Sequence, residues 1–107
     1  MLIRLVYVSR LDPSISRQQI ADLVAAAAAF NRANDITGII AFEGLRVCQI
    51  LEGEEVAVSD LFAAIEQDSR HTAVNELDRS EIAAKHFSDW GMTERSMADM
   101  VALAFSI

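Results

Sequence analysis

A glutamine in the middle of an apolar strand is the residue of this sequence best placed to do chemistry. Gln49 lies within 46–53, where apolar residues occur on both faces, so the segment predicts a central β-strand. Because side chains alternate along a strand, Gln49 shares its face with Val47 and Leu51. A buried amide without partners costs roughly 1–3 kcal/mol, so nearby backbone, a polar side chain, a water or a ligand with polar edges must satisfy it.

Two further polar side chains fall on positions predicted to face the core. Tyr7 shares one face of a predicted first strand, residues 2–9, with Ile3. Asn31 comes four residues after Ala27 on the apolar stripe of the predicted first helix, although an asparagine near a helix end can also be a cap. If these faces meet, three polar groups converge in an apolar slot, which is typical of a small-molecule site.

The predicted elements occur in the order β-α-β-β-α-β, followed by a terminal helix. A capping box at Ser16 begins the first helix, which runs to about Arg32, and Gly44 closes a hairpin between the second strand and that of Gln49. This order favours an α+β, ferredoxin-like sheet with both helices on one face, and we expect its first and third strands to be parallel central neighbours. After the second helix we predict weaker strands at 73–78 and 80–87, a short strand at 90–92 and a helix at 94–105.

Composition and charge limit the classes of function. The 107 residues suit one domain, and the net charge of -7 provides no basic surface for nucleic-acid phosphates. The single cysteine, Cys48, favours a reducing compartment. Because we find neither a signal-peptide pattern nor an apolar run of about 20 residues, we expect a cytoplasmic protein that does not enter membranes. His71 and His86 lack metal-ligand spacing, so no metal site is predicted.

Five stretches of the chain form a pattern whose order and spacing match those of a known family. They are 5–9 (LVYVS), 31–38 (NRANDITG), 49–53 (QILEG), 68–71 (DSRH) and 87–92 (FSDWGM). Taken together they resemble the BLUF domain, a blue-light sensor that uses a flavin. The resemblance implies a flavin held noncovalently with its ring between the two helices, FAD in most members, with FMN or riboflavin as alternatives. It also implies a photosensor without catalytic turnover, formed by residues 1–93 and followed by a C-terminal capping helix, 94–107.

The resemblance assigns roles to the three polar residues of the slot and to Ser9. Tyr7 is expected to donate an electron to the photoexcited flavin. Gln49, between Tyr7 and the ring, is expected to change its orientation or tautomer and so produce a red-shifted signalling state. Asn31 is similar to the residue that fixes the pyrimidine edge of the ring, and Ser9 to a supporting hydroxyl.

Further residues match the family with roles at the edge of the site or beyond it. Asp68, Arg70 and His71 match polar residues near the ring or the ribityl chain. Trp90 and Met92 match the pair that relays the signal to a downstream effector protein.

The chain also departs from the family pattern at three positions. Phe30 and Gly91 stand where polar residues are usual. Ala64 occupies a position that is basic in some members, which removes one salt bridge to the flavin phosphates. Arg32 is the alternative contact, or the phosphates lie in solvent.

Two other classes of function remain open on the residues alone. A small ferredoxin-like hydrolase of the acylphosphatase type would need a glycine-rich loop after the first strand, and residues 10–14 contain none. A flavin-free dimeric interaction module would leave Gln49 and Asn31 as satisfied core amides. The outer sheet face, which includes Val6 and Ile50, is too apolar to be exposed, so we expect the terminal helix or a second copy in a homo-oligomer to cover it.

Overall fold

The described residues form five strands and three helices. The computed structural model describes residues 1–88, 90–93 and 96–106, with the backbone alone at 90–93, 97 and 105. Asp89 of the matching stretch 87–92 lies outside this part, as do positions 94 and 95 of the predicted terminal helix. In chain order the elements are β1 (Leu2–Leu11), α1 (Arg17–Ala33), β2 (Thr37–Glu43), β3 (Arg46–Glu54), α2 (Glu55–Gln67), β4 (His71–Glu81), β5 (Trp90–Thr93) and α3 (Met97–Ser106).

The strands form one sheet in the order β4-β1-β3-β2-β5. The α+β, ferredoxin-like arrangement is confirmed, with β5 added parallel to β2 at one edge. The expectation that the first and third strands are parallel is wrong, because β1 and β3 pair antiparallel. The reason is topological: α1 returns the chain so that β2 runs parallel to β1, and the hairpin after β2 then places β3 between them in the opposite direction.

Both ends of α1 are capped by side chains. Ser16 and Gln19 form the predicted capping box, in which the Ser16 hydroxyl accepts from the Gln19 backbone at 3.1 Å. At the other end, the amide of Asn34 donates to the Phe30 carbonyl at 2.9 Å. Interpreting Asn31 as the cap is therefore wrong: Asn34 is the cap residue, and Asn31 is buried.

The sheet has an apolar core on each face. On one face, β1 and β3 pack against α1 and α2 through residues such as Leu5, Leu51 and Val58. On the other, Val6, Cys48 and Ile50 form a cluster with Met100 of α3, which is fully buried. Within this chain, α3 therefore covers the outer face of the central strands.

One long strand, β4, replaces the two weaker strands predicted at 73–78 and 80–87. It is mostly exposed, and its register against β1 shifts twice. These features explain why its apolar alternation is weak in the sequence. After β4, residues 82–88 cross to the opposite edge of the sheet, where β5 pairs with β2.

Candidate functional site

A cavity of about 220 Å³ lies between α1 and α2, against the face formed by β1, β2 and β3. Pockets for drug-sized ligands typically measure roughly 300–1,000 Å³, so this cavity suits a flat ring rather than a whole dinucleotide. Its wall is apolar apart from six polar side chains, which are Tyr7, Asn31, Gln49, Asp68, Arg70 and His71.

Tyr7 and Gln49 are hydrogen-bonded on the sheet side of the cavity. They lie directly opposite each other in the antiparallel register of β1 and β3, so their side chains are neighbours. The Tyr7 hydroxyl donates to Gln49 Oε1 at 2.5 Å, and both residues are at most 4% exposed. With its carbonyl end bonded to Tyr7, Gln49 keeps two N–H donors for a partner in the cavity that it lines.

Burial keeps the Tyr7 phenol protonated. Desolvation raises the pKa of Tyr7 far above its ordinary value of about 10, and electrostatic interactions with Cys48 and Asp68 raise it further. The ring packs at a tilt on Phe62, with centroids 5.4 Å apart. Tyr7 is therefore a neutral, oriented phenol whose proton is already bonded to an amide oxygen.

Asn31 carries the clearest sign of a ligand. It is 1% exposed and lines the cavity, yet neither Oδ1 nor Nδ2 has a hydrogen-bond partner among the described residues. A buried amide left in this state is costly. A ligand edge with an adjacent donor and acceptor would satisfy both atoms, and the pyrimidine edge of a flavin has this pattern.

His71 links Ser9 to the cavity wall. His71 Nε2 contacts the Ile65 carbonyl, which can only accept, so in the neutral ring Nε2 is the donor and Nδ1 is an acceptor. Ser9, 5% exposed, then donates from its hydroxyl to Nδ1 over 3.0 Å. Ser9 is not among the residues that line the cavity, so it supports the site through His71.

Asp68 and Arg70 form an ion pair beside the cavity. The guanidinium donates from Nε and Nη2 to the carboxylate, and this holds the pKa of Asp68 below and that of Arg70 above their ordinary values. The Arg70 side chain is 54% exposed, so the pair lies at the edge of the site. Ala64 lines the same cavity and offers no charge to a phosphate.

The remaining predicted site residues, Trp90 and Met92, lie in β5. Their backbones pair with Gly38 and Ile40 of β2, the strand next to that of Gln49. Their side chains lie outside the part of the chain that the structure describes.

A second group of polar side chains, outside the cavity, contains the buried Glu52. Sequence reasoning gave no role to Glu52, although a carboxylate in a strand buried on both faces is itself a signal. Glu52 is 0% exposed and forms an ion pair with Arg4 at 2.7 Å on the opposite face of the sheet.

Residues 1–88, 90–93 and 96–106 offer little evidence for a metal site, a reactive thiol or a membrane span. They contain no cluster of three or more His, Cys, Asp or Glu that could hold a metal ion. Burial raises the pKa of Cys48 to about 11, so this thiol is a packing group at neutral pH. No helix in these ranges has the length and apolar character needed to span a bilayer.

The fold and the site together define a domain that binds a flat ligand with polar edges beneath a pair of helices. The model of one family, described as BLUF, sensors of blue-light using FAD, matches residues 2–93. The chain belongs to this family of flavin-binding photosensors, whose domain has no catalytic activity. The hydrolase and the flavin-free module are accordingly not favoured.

Curated relatives agree with this chain in sequence, and solved structures agree with it in sequence and fold. The blue light- and temperature-regulated antirepressor BluF of Escherichia coli K12 is 36% identical over 92 residues, which are 86% of this chain and 23% of BluF. Klebsiella pneumoniae BlrP1, solved with FMN and cyclic diGMP, is 40% identical with a TM-score of 0.79 over 86% of this chain and 25% of BlrP1. The dark-state structure of BlrB, a BLUF protein, gives 32% identity and a TM-score of 0.82 over 98% of this chain and 80% of BlrB.

The curated relatives are much longer than this chain. It spans 23% of BluF and 7% of the photoactivated adenylate cyclase subunit alpha of Euglena gracilis, to which it is 37% identical over 73 residues. The likeness therefore concerns the sensor domain and leaves the rest of those proteins unmatched.

Proposed function

We propose that this chain senses blue light through FAD whose flavin ring lies in the cavity between α1 and α2, and that Tyr7 and Gln49 form its switch. The observation that carries the proposal is the Tyr7–Gln49 hydrogen bond of 2.5 Å at an apolar cavity that also contains the unpartnered amide of Asn31. A bound flavin would supply absorption of blue light and an excited state that takes up an electron.

The residues of the cavity fit such a ligand. Asn31 would bond the polar edge of the ring with both of its amide atoms, and the side chains of Ile40 and Ile65 would exclude water from its faces. His71, fixed by Ser9, and the Asp68–Arg70 pair would lie toward the ribityl chain. Because Ala64 is apolar and Arg70 is already paired, the phosphates would make few direct contacts, which leaves FMN and riboflavin as ligands as well.

The switch follows from the chemistry of a phenol bonded to an amide. Tyr7 is neutral, so when it gives up an electron its proton can move along the existing hydrogen bond to Gln49 Oε1. An amide that rotates exchanges its acceptor for its donors without adding charge. A hydrogen bond contributes about 1 kcal/mol net, so the two bonding patterns of Gln49 lie close enough in energy for thermal reversal.

The output of the sensor passes to another protein or domain. We propose that Trp90 and Met92 in β5 relay the state of Gln49, since β5 pairs with β2 and β2 pairs with β3. Residues 1–93 would be the sensor and 94–107 its capping helix. An effector such as the antirepressor or cyclase parts of the relatives would receive the signal in the cytoplasm, where the single cysteine stays reduced.

The deciding experiment is an absorption spectrum before and after blue light. Gln49→Leu should bind flavin but show no red-shifted state, because the side chain keeps its volume and loses the polar exchange. Tyr7→Phe should likewise keep flavin and lose the normal photocycle. Ile40→Leu is the matched control, since Ile40 pairs with Gln49, lines the cavity and has no polar group. A parent-like reversible shift in Gln49→Leu would refute the switch.

A further inference from the structure

Four donors converge on one buried carboxylate, on the face of the sheet opposite the cavity. Glu52 Oε2 accepts from Nε and Nη2 of Arg4 at 3.0 and 2.7 Å. Oε1 accepts from the backbone N–H groups of His86 and Phe87 at 2.7 and 2.9 Å. Each carboxylate oxygen thus receives two hydrogen bonds, which is what a fully buried charge requires.

The topology shows what these bonds hold in place. Strands β4 and β5 lie at opposite edges of the sheet, so the crossing segment, residues 82–88, must pass the ends of β1, β3 and β2. It contacts all three strand ends: Ile82 donates to the Leu2 carbonyl at 3.0 Å, His86 and Phe87 bond to Glu52, and Lys85 pairs with Asp35 just before β2.

The attachment at Glu52 differs from the other two. Ile82 is held by one backbone bond, and Lys85 donates to the Asp35 carbonyl at 2.6 Å and pairs with an Asp35 side chain that is 93% exposed. Only Glu52 is buried, and it fixes two consecutive peptide groups, so both position and orientation of the crossing segment are set there. Phe87 also packs with the cluster that contains Met100, so the same attachment reaches α3.

We propose that Glu52, oriented by Arg4, is a positioning residue that fixes the crossing segment to β3, and so sets β5 and α3 relative to the strand that carries Gln49. Glu52 is three residues from Gln49 in β3, on the other face. The light-dependent part rests on the proposed function: a change in the bonds of Gln49 is passed along β3 to Glu52 and then to the peptide groups of His86 and Phe87.

The test is Glu52→Gln, which preserves the shape and removes one acceptor. An amide has a single acceptor oxygen, so it can serve Arg4 or the two peptide N–H groups but not both. We expect amide hydrogen exchange at His86 and Phe87 to become about 10-fold faster in the dark. Flavin affinity and the size of the red shift should stay at the parent values, because the cavity is on the other face.

Glu54→Gln is the matched control. Glu54 lies two residues further along β3 on the same face, but its side chain is 65% exposed and pairs with the N-terminal amine. Unchanged exchange at His86 and Phe87 in Glu52→Gln, or an equal change in Glu54→Gln, would overturn the proposal. If Glu52→Gln does not fold, Arg4→Lys keeps the charge but loses the guanidinium fork, and it must accelerate the same two amides.

The light-dependent part has its own readout. In the parent, exchange at His86 and Phe87 should differ between dark and illuminated samples, and Glu52→Gln should abolish the difference while the red shift persists. A parent protein without any spectral response to light would end the proposed function, while the dark exchange of Glu52→Gln would still decide the positioning role. A light difference that survives in Glu52→Gln would refute transmission through Glu52.

Discussion

Asn31 is buried, and both ends of its amide lack a partner within the described chain. Its substitution is therefore expected to affect flavin binding and the stability of the flavin-free chain differently. Asn31→Ala should weaken flavin binding by about 1–2 kcal/mol, or about 5- to 30-fold in Kd, because the ring edge loses its partner. The free energy of unfolding without flavin should not fall, because the substitution removes two unsatisfied atoms. Flavin titration and urea denaturation of the same variant measure the two effects.

Asn34→Ala is the natural control for that experiment. Its amide caps α1 by bonding the Phe30 carbonyl, and it is exposed. The substitution should lower the free energy of unfolding by about 1 kcal/mol and leave the Kd for flavin unchanged. If instead Asn31→Ala retains flavin as tightly as the parent, the ring edge does not contact Asn31.

Tyr7 is the only tyrosine in the chain, so its titration can be followed by ultraviolet absorbance alone. Its pKa is raised on folding, so the folded chain holds the proton more tightly than the unfolded chain does. The resulting stability is fully present below pH of about 10 and is lost as pH rises above that value. We expect tyrosinate absorbance to appear only together with unfolding, and Tyr7→Phe to lose less stability than the parent above pH of about 10. Tyrosinate formation at pH of about 10 in the folded chain would contradict the buried phenol.

At the scale of elements, the contact between β2 and β3 depends on a glycine. Gly38 has φ of +148°, and a Cβ placed there would lie 1.9 Å from the Ile50 carbonyl oxygen, which is backbone. Gly38→Ala should therefore destabilise the chain by about 1–3 kcal/mol or more and separate the hairpin strands.

Gly44→Ala separates the effect of space from that of backbone conformation. Gly44 also has a positive φ, of +60°, but a Cβ there meets nothing within 4 Å. We expect a cost of about 1 kcal/mol from conformation alone, measured by the same urea denaturation. Equal losses in the two variants would show that the close approach of Gly38 to β3 is not what matters.

Local sequence signals predicted most of the helices and strands. The features that were predicted wrongly depend on contacts between residues far apart in the sequence. The capping box at Ser16, the hairpin at Gly44 and the apolar runs of β2 and β3 are encoded within a few neighbouring residues. The direction of β3 relative to β1 is not, because it follows from where α1 returns the chain. The single strand β4 was predicted as two because most of its side chains are exposed and its register against β1 shifts.

At the scale of the whole molecule, Met100 joins α3 to the sheet. Met100 is fully buried, whereas its neighbour Val101 is 39% exposed. Met100→Ala should lower the free energy of unfolding by about 2–5 kcal/mol through the cavity it leaves. Val101→Ala should stay within about 0.5 kcal/mol of the parent. Similar values for both would mean that α3 contributes little to the outer core.

The site was predictable where a side chain broke an apolar pattern. Gln49 and Asn31 were found because each interrupts a row of core positions, and antiparallel pairing brings Tyr7 to Gln49. The bonds from His86 and Phe87 to Glu52 were not predictable, because the donors are peptide groups, which every residue shares. The roles of Tyr7, Gln49, Trp90 and Met92 in sensing stay predictions.

A flavin bonded to the two Asn31 atoms that lack partners among the described residues would also make the lifetime of this protein depend on the supply of flavin. A flavin that bonds them can do so only in the folded chain, and at a concentration 100 times its Kd it would add about 2.7 kcal/mol to the free energy of unfolding. Unfolded molecules are the ones that proteases degrade. A cell short of flavin would therefore contain less of the sensor. The abundance of the protein would then report the flavin concentration, while its absorbance reports light.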